Sequence, residues 1–212
     1  MRTRIALLGM SFLCSHAMAT VVAVGPGAFP ASPVLNFAGL ADLTEVNGLI
    51  VSGVQFTYSL GNGLVVIDGG PGTTNNVTPP NIVSIGNNTG VLGILLPTTS
   101  TVFGYGYAIL NAVTVPNATT ISVFNGATPL GSLSYTGVQD PDFTGGFAGI
   151  QSSLPFNRVE LRFDTVTSPA FALDNIRFGS FASLPEPSTW ALTLGAAVLL
   201  LLPKTRRAFR KD

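Results

Sequence analysis

The sequence predicts an all-β protein: one mostly antiparallel β-sandwich or barrel over residues 20–183, with an apolar segment at each end of the chain. Three observations lead to this fold class. Apolar residues between the two ends recur with period two or in short runs. Turn-forming Gly, Pro and Asn residues separate these runs at regular intervals. No stretch outside the two ends shows the 3.6-residue period of an amphipathic helix.

The runs predict about ten short strands. In the second run, Gln55 and Thr57 share one face, while Val54, Phe56 and Tyr58 share the other. The Asn125-Gly126 pair is the strongest turn signal in the chain and predicts a hairpin. The predicted strands cover residues 34–37, 49–58, 64–68, 82–85, 91–96, 101–110, 121–124, 130–135, 147–150, 158–163 and 170–178.

The N-terminal segment, residues 1–19, has the three parts of a secretory signal peptide. Arg2 and Arg4 form its basic region, residues 5–14 form its apolar core, and Ala17 and Ala19 stand at the positions where signal peptidase needs small residues. We therefore expect the general export machinery and signal peptidase as partners, and Thr20 as the first residue of the mature protein.

The C-terminal segment, residues 184–212, has the order stalk, apolar run, cationic end. Pro185 and Pro187 favour an extended stalk. The uncharged run that follows Trp190 predicts a single short transmembrane helix, about 21 Å from Thr189 to Leu202 against a hydrocarbon core of about 30 Å. The cationic end marks the cytoplasmic side and predicts that the preceding domain lies outside. Its basic residues are Lys204, Arg206, Arg207, Arg210 and Lys211.

This C-terminal arrangement resembles the PEP-CTERM sorting signal of Gram-negative bacteria. The resemblance is carried by Pro185-Glu186-Pro187-Ser188-Thr189-Trp190, the apolar run and the Arg-rich end. It implies processing near the Pro-Glu-Pro motif by exosortase, a membrane-embedded, cysteine-dependent enzyme. It also implies an anchor in the inner membrane before processing and a place at the cell surface or outside the cell afterwards. An ordinary tail anchor is the alternative.

Charge and composition exclude several classes of function for residues 20–183. This part carries eight acidic side chains and three basic ones, a net charge of about −5, which argues against nucleic acid as a partner. The chain's only cysteine and histidine, Cys14 and His16, lie in the signal peptide, and both lysines lie in the C-terminal end. Thiol, imidazole and Schiff-base catalysis are thereby excluded from the domain, and we expect no catalytic cofactor.

Carboxylates are the remaining candidates for catalysis. Asp140 and Asp142 flank Pro141 in a glycine-rich stretch, and Asp68 ends a predicted strand. Two carboxylates about 5–10 Å apart across a cleft can hydrolyse a glycosidic bond. The alternative is that Asp140 and Asp142 belong to a solvated turn fixed by side-chain hydrogen bonds.

Alternating aromatic residues give a candidate ligand face. Phe103, Tyr105 and Tyr107 share one face of a predicted strand, and Gly104 and Gly106 share the other. Exposed aromatic rings on a sheet can stack on sugar rings. The alternative is that the three rings belong to the core, with the glycines admitting a closely packed segment on the opposite face.

The start and end of the domain resemble jelly-roll domains of the carbohydrate-binding-module type. The start is carried by Asn36 to Leu40 with Gly53 to Phe56, and the end by Phe171 to Gly179. In such domains an aspartate of the closing strand often binds a structural calcium ion together with acids of the opening strand. Asp174 matches that position, whereas Asn36 and Ala38 stand in place of the opening acids, with Asp42 and Glu45 nearby. A hydrogen bond from Asp174 to a neighbouring loop is the alternative.

Together these features predict a non-enzymatic, exported surface or extracellular-matrix protein, sorted by exosortase, with exopolysaccharide as the candidate ligand. Two alternatives stay open at the sequence level: a secreted glycoside hydrolase that uses carboxylates, and a purely structural matrix protein.

Overall fold

The structure is a computed structural model that describes residues 19–29, 33–86, 88–164 and 166–180. These residues form an all-β, antiparallel fold, which confirms the predicted fold class at that level. Apart from one 3-10 turn at Pro26–Ala28, the regular elements of the described residues are strands. The twelve strands are β1 Val21–Ala23, β2 Val34–Leu35, β3 Thr44–Glu45, β4 Ile50–Val51, β5 Val54–Tyr58, β6 Leu64–Ile67, β7 Asn81–Ser84, β8 Leu92–Ile109, β9 Val115–Asn125, β10 Thr128–Asp140, β11 Phe143–Phe163 and β12 Phe171–Gly179.

All strands join one hydrogen-bonded sheet in the order β10-β9-β11-β8-β12-β7-β6-β3, and β1, β2, β4 and β5 pair at its margins. Two long strands carry most of the pairing. Residues 92–95 of β8 pair with β5 and with residues 158–161 of β11, whereas residues 102–109 pair with β12 and with residues 144–151 of β11. The register of β11 shifts between Gln151 and Arg158, where it passes from one pairing region to the other.

The two pairing regions face each other across the core. Tyr105 in the second half of β8 hydrogen bonds through its hydroxyl to Thr119 of β9, and its ring meets the Phe163 ring edge-on at 6.2 Å. Since β9 is not a sheet neighbour of that half of β8, this contact crosses between two layers. One hydrophobic cluster with members from both layers fills the space between them.

Among the differences from the predicted strands, residues 147–150 and 158–163 belong to one strand, β11, and two further differences have a local cause. Residues 49–58 form a hairpin rather than one strand, because Ser52 and Gly53 both adopt positive φ (50° and 80°) and form a two-residue turn between β4 and β5. Pro97, predicted to separate two strands, lies inside β8. It stands between the two paired stretches, where its missing N–H interrupts no ladder.

The hairpin predicted at Asn125-Gly126 is confirmed. Asn125 of β9 pairs with Thr128 of β10, and Gly126 in the intervening turn has a φ of 58°. Alternation in β5 is also as predicted: Val54, Phe56 and Tyr58 are buried, Gln55 is half-buried and Thr57 is exposed.

The predicted signal peptide, sorting motif, transmembrane helix and basic end lie outside the described residues, except for Ala19. Within the described ranges, no helix has the length and apolar character that would allow it to cross a bilayer.

Candidate functional site

One face of the sheet presents a solvent-accessible polar surface over five strands. The strand register aligns its side chains into rows across β5, β8, β11, β9 and β10. One row is Gln55, Leu95, Arg158, Phe124 and Pro129, and the next row is Thr57, Gly93, Glu160, Ser122 and Ser132. The residues between them in sequence, such as Phe56, Ile94 and Val159, are fully buried in the core. We call the two rows the polar face.

A groove lies in the polar face where β5, β8 and β11 meet. It encloses about 360 Å³, and we call it the polar groove. Most of the surface that lines it is apolar, including Leu95, which is 43% exposed, and the groove is named for the hydroxyl, amide and charged groups that lie beside this surface. The lining residues are Gln55, Thr57, Tyr58, Ser59, Val91, Gly93, Ile94, Leu95, Arg158 and Glu160.

Glycine at position 93 creates the depth of the groove. A Cβ atom at this position would lie 2.5 Å from the hydroxyl oxygen of Thr57, closer than van der Waals contact allows. Without that atom, the Thr57 hydroxyl turns toward β8, where it donates to the carbonyl oxygen of Gly93 at 3.4 Å. Gly93 therefore forms the bottom of the groove, with Thr57 on one side and Glu160 on the other.

Arg158 is held at the edge of the groove by three contacts. Its Nε donates to the carbonyl oxygen of Gly126 at 3.0 Å, one terminal nitrogen forms a salt bridge with Glu160, and its guanidinium lies 3.8 Å from the centre of the Phe124 ring. The two charged side chains keep 31% and 27% of their surface exposed. Because the charges of Arg158 and Glu160 compensate each other, the groove offers charged hydrogen-bonding groups without a net charge.

Hydrogen-bonding capacity in the groove suits a ligand with many hydroxyl groups. Glu160 supplies acceptors, Arg158 supplies donors beyond those it already uses, and Gln55 supplies both. Leu95 offers an apolar surface of the kind that the C–H face of a sugar ring can cover. Glu160 is the one carboxylate in this lining, so hydrolysis by a pair of carboxylates is not available in the groove.

The aromatic ligand face considered from the sequence is not formed. Phe103 and Tyr105 have no exposed surface and Tyr107 has 1%, so the three rings are core residues. Their burial raises the pKa of both tyrosines well above the usual range. The physical reason lies on the opposite face of β8, where a Cβ at Gly106 would lie 2.0 Å from the carbonyl oxygen of Asn76. Gly106 admits that loop and Gly104 admits the ring of Phe147, so both glycines allow close packing, as the core interpretation predicted.

Asp174 lies on the same outer face as Gly106 and is completely buried beneath the loop that contains Asn76. Its Oδ2 accepts a hydrogen bond from the Thr78 hydroxyl at 2.8 Å, and the neighbouring Asn175 side chain donates to the carbonyl oxygen of Asn76 at 2.7 Å. Its Oδ1 is buried without a partner among the described residues. Burial raises the pKa of the carboxyl group, against hydrogen bonds from Asn175 and Thr78 that lower it.

These surroundings do not fit a calcium ion. Calcium takes six to eight oxygen ligands and favours several carboxylates. The described residues contain no group of three acidic or other metal-binding side chains, and the groups bonded to Oδ2 are hydrogen-bond donors. Asp42, considered as a further ligand, instead accepts a hydrogen bond from the backbone N–H of Asp68 at 3.1 Å. Asp174 therefore fastens a loop to the sheet, the alternative considered above.

The aspartates considered for catalysis do not line the polar groove. Asp140 ends β10, where its carbonyl oxygen accepts hydrogen bonds from Thr74 and Asn75 and its Oδ2 accepts one from the Asn75 backbone N–H at 3.3 Å. Asp68 follows β6 and is exposed, as is Asp142. The hydrogen bonds of Asp140 connect the β10–β11 turn to the loop at Thr74. Asp140 therefore belongs to a turn that hydrogen bonds hold in place.

The polar groove was not predictable from the sequence because its parts come from three separate regions of the chain. One signal that the sequence does contain is the shared face of Gln55 and Thr57. A similar alternation runs through Arg158, Glu160 and Arg162, whose intervening residues Val159 and Leu161 are buried. The sequence does not state that these two strands flank the same stretch of β8.

Comparison with known proteins gives low similarity. No family model matches the chain, and no curated protein matches it. Among solved structures, a family 29 carbohydrate-binding module is similar at 13% identity and a TM-score of 0.37, covering 77% of this chain and 92% of the module. A variant of a family 29 module solved with cellulohexaose has 13% identity and a TM-score of 0.39, with 78% and 95% covered. Another, solved with mannohexaose, has 11% identity and a TM-score of 0.35, with 77% and 95% covered. At such similarity neither the ligand nor the binding site of these modules transfers to this chain.

Proposed function

We propose that this protein is an exported, exosortase-sorted surface or extracellular-matrix protein, of jelly-roll-like fold, that binds an uncharged exopolysaccharide in the polar groove. It performs no catalysis. The signal peptide delivers the chain across the inner membrane, and the C-terminal segment holds it there until exosortase acts near Pro185-Glu186-Pro187.

The two ends of the sequence support the sorting part of the proposal. Small residues at Ala17 and Ala19 follow a basic and an apolar region, as signal peptidase requires. At the other end the extended motif, apolar run and basic residues follow each other at the extreme C-terminus. Both ends lie outside the described structure, apart from Ala19, and this part of the proposal therefore rests on sequence.

The polar groove supports the binding part, and its composition is the observation that carries it. Gln55, Thr57 and Glu160 are partly exposed around the aliphatic side chain of Leu95, so hydrogen-bonding groups surround an apolar patch. Small-ligand sites commonly combine an apolar surface with a few fixed polar groups. The neutral Arg158–Glu160 pair and the net charge of about −5 for residues 20–183 favour a neutral glycan over an acidic one.

Sorting is tested in the native host by replacing Pro185, Glu186 and Pro187 together with alanine. We expect the altered protein to stay in the membrane fraction at the mass of the chain without its signal peptide. The unaltered protein should lose the C-terminal segment and appear outside the cell only in a strain that has exosortase. Unchanged processing of the alanine variant would refute the sorting proposal.

Binding is tested by affinity electrophoresis of the full chain in gels that contain the host's purified exopolysaccharide. Retardation should disappear in the Glu160→Gln variant, which loses the charge that orients Arg158. Glu45→Gln is the matched control, because Glu45 is an exposed acid of β3 outside the groove lining. No retardation of the unaltered chain would remove the glycan from the proposal and leave a structural matrix protein. Equal retardation of both variants would place glycan binding outside the polar groove.

A further inference from the structure

Strand β10 forms a long edge of the sheet. It stands first in the strand order and pairs with β9 along residues 128–137, and only its last three residues, 138–140, pair with β11. Among the described residues no strand pairs with the other side of residues 130–136. The backbone N–H and C=O groups on that side are therefore available for another strand.

The remaining margins of the sheet are short. β1 has three residues, and β2, β3 and β4 have two each. Short edge strands are one of the ways in which proteins prevent edge-to-edge pairing. β10, with 13 residues, is the exception among the described strands.

The usual protections of a long edge are also missing from the middle of β10. No charged residue occurs from Thr128 to Gln139. The register with β9 is irregular between Pro129 and Gly131 and again between Tyr135 and Gly137, which leaves a regular stretch from Gly131 to Tyr135. At the start of this stretch Val21 of β1 lies against Gly131. From there on, Ser132 and Ser134 are exposed.

We propose that two copies of this protein associate through antiparallel pairing of their β10 strands. Self-pairing in this orientation brings the same short stretch of both strands together, so a charged residue near the two-fold axis would lie close to its own copy. The uncharged sequence of β10 avoids that repulsion, which is why a second copy of this chain fits the edge.

The regular stretch suggests the register of the pair. Centred on Leu133, it sets Ser132 opposite Ser134 of the second copy, and Ser134 opposite Ser132. Paired hydroxyl groups on facing strands can hydrogen bond to each other. The chain already contains such a pair, because the hydroxyl groups of Thr120 and Ser134 are 2.8 Å apart across β9 and β10.

Association in this way would extend the polar face across two molecules. A two-fold axis that relates antiparallel strands runs perpendicular to the sheet, so the same face of both copies points in the same direction. Ser132 belongs to the row that contains Thr57, Gly93 and Glu160, and the rows of the second copy continue beyond it. If the polar groove binds glycan as proposed above, one long polysaccharide can contact the grooves of both copies and gain avidity.

Sedimentation velocity of the full chain in a non-ionic detergent tests the association. The Ser132→Glu/Ser134→Glu variant places two pairs of like charges across the two-fold axis. We expect its dissociation constant for the dimer to rise by roughly tenfold or more. Mixing it with a Ser132→Lys/Ser134→Lys variant should restore dimers, because each glutamate then faces a lysine.

Thr120→Glu/Ser122→Glu is the matched control, since it adds the same charge to the same face one strand away from the edge. It should dimerise like the unaltered chain. A chain that stays monomeric at every concentration tested, or a glutamate variant of β10 that dimerises unchanged, would overturn the proposal. Affinity electrophoresis separates this result from the glycan proposal, because groove binding depends on Glu160 in each single copy.

Discussion

The guanidinium group of Arg158 stacks on the ring of Phe124 from the neighbouring strand β9, with 3.8 Å between the guanidinium carbon and the ring centre. The two residues are directly opposite each other in the register of β9 and β11. Phe124 thus holds in place the cation that pairs with Glu160 at the edge of the polar groove.

Replacing Phe124 with leucine should weaken this arrangement while keeping an apolar side chain. Because a partly exposed cation–π contact contributes about 0.5–1 kcal/mol, we expect a loss of that size in the free energy of unfolding in urea. A double-mutant cycle with Arg158→Gln isolates the contact. A coupling energy near zero would show that the ring does not hold the guanidinium group.

Replacing Gly93 with valine should fill the floor of the polar groove. The new side chain would occupy the space between Thr57 and Glu160 and push the Thr57 hydroxyl aside. We expect affinity for the exopolysaccharide to fall by about tenfold or more, because a well-fitting ligand loses contacts on both sides. Far-ultraviolet circular dichroism should show the same strand content as before, since β-branched residues suit strands. Unchanged retardation in affinity electrophoresis would place the ligand elsewhere.

Replacing Gly106 with alanine should destabilise the domain. The added methyl group would lie 2.0 Å from the Asn76 carbonyl oxygen, a backbone atom that moves only if the loop moves. Such overpacking costs about 1–3 kcal/mol or more, measured as the free energy of unfolding in urea. Gly27→Ala is the control, because a methyl group there meets no atom within 4 Å. Equal stability of both variants would contradict the close approach of the loop.

Asp174 should make stability depend on pH in a direction opposite to that of an aspartate whose pKa is lowered by folding. Burial raises the pKa of its carboxyl group in the folded protein above the ordinary value of about 4. The fold therefore prefers the protonated form, and this contribution is fully present below the unfolded pKa and is lost as pH rises through the folded pKa.

The Asp174→Asn variant keeps an acceptor for the Thr78 hydroxyl and removes the titration. We expect its thermal midpoint, relative to the unaltered chain, to increase as pH rises from 4 to 7, by about 2–4 °C for each kcal/mol gained. Millimolar calcium should leave the midpoint of the unaltered chain unchanged. A stabilisation by calcium that the variant lacks would show instead that Asp174 binds the ion.

Particular residues show which parts of the fold could be predicted from the sequence. The β10 hairpin was predictable because Asn125-Gly126 is a local turn signal, and the faces of β5 were predictable because alternation is local too. The hairpin at Ser52-Gly53 was missed because a serine with positive φ is uncommon, and a Ser-Gly pair inside an apolar run is a weaker turn signal than Asn-Gly.

Whether a strand face lies in the core or at the surface is harder to predict than which side chains share that face. Alternation correctly placed Phe103, Tyr105 and Tyr107 on one face of the strand. From the sequence alone, however, an aromatic face could lie either in the core of a sandwich or on its solvent side. The tertiary structure decided between them, because the loop at Asn76 covers Gly106 and the Phe147 ring covers Gly104, while the aromatic face lies in the core.

By itself the sequence determined the antiparallel β class, the absence of thiol and imidazole chemistry from the domain, and the expected export and sorting signals. These follow from composition and from patterns within a few residues. Only the tertiary structure decided that Arg158 and Glu160 meet Gln55 and Thr57 across Gly93. This arrangement depends on the register of strands that are about a hundred residues apart in the sequence. Packing in the shared core fixes that register, and no local sequence pattern predicts it.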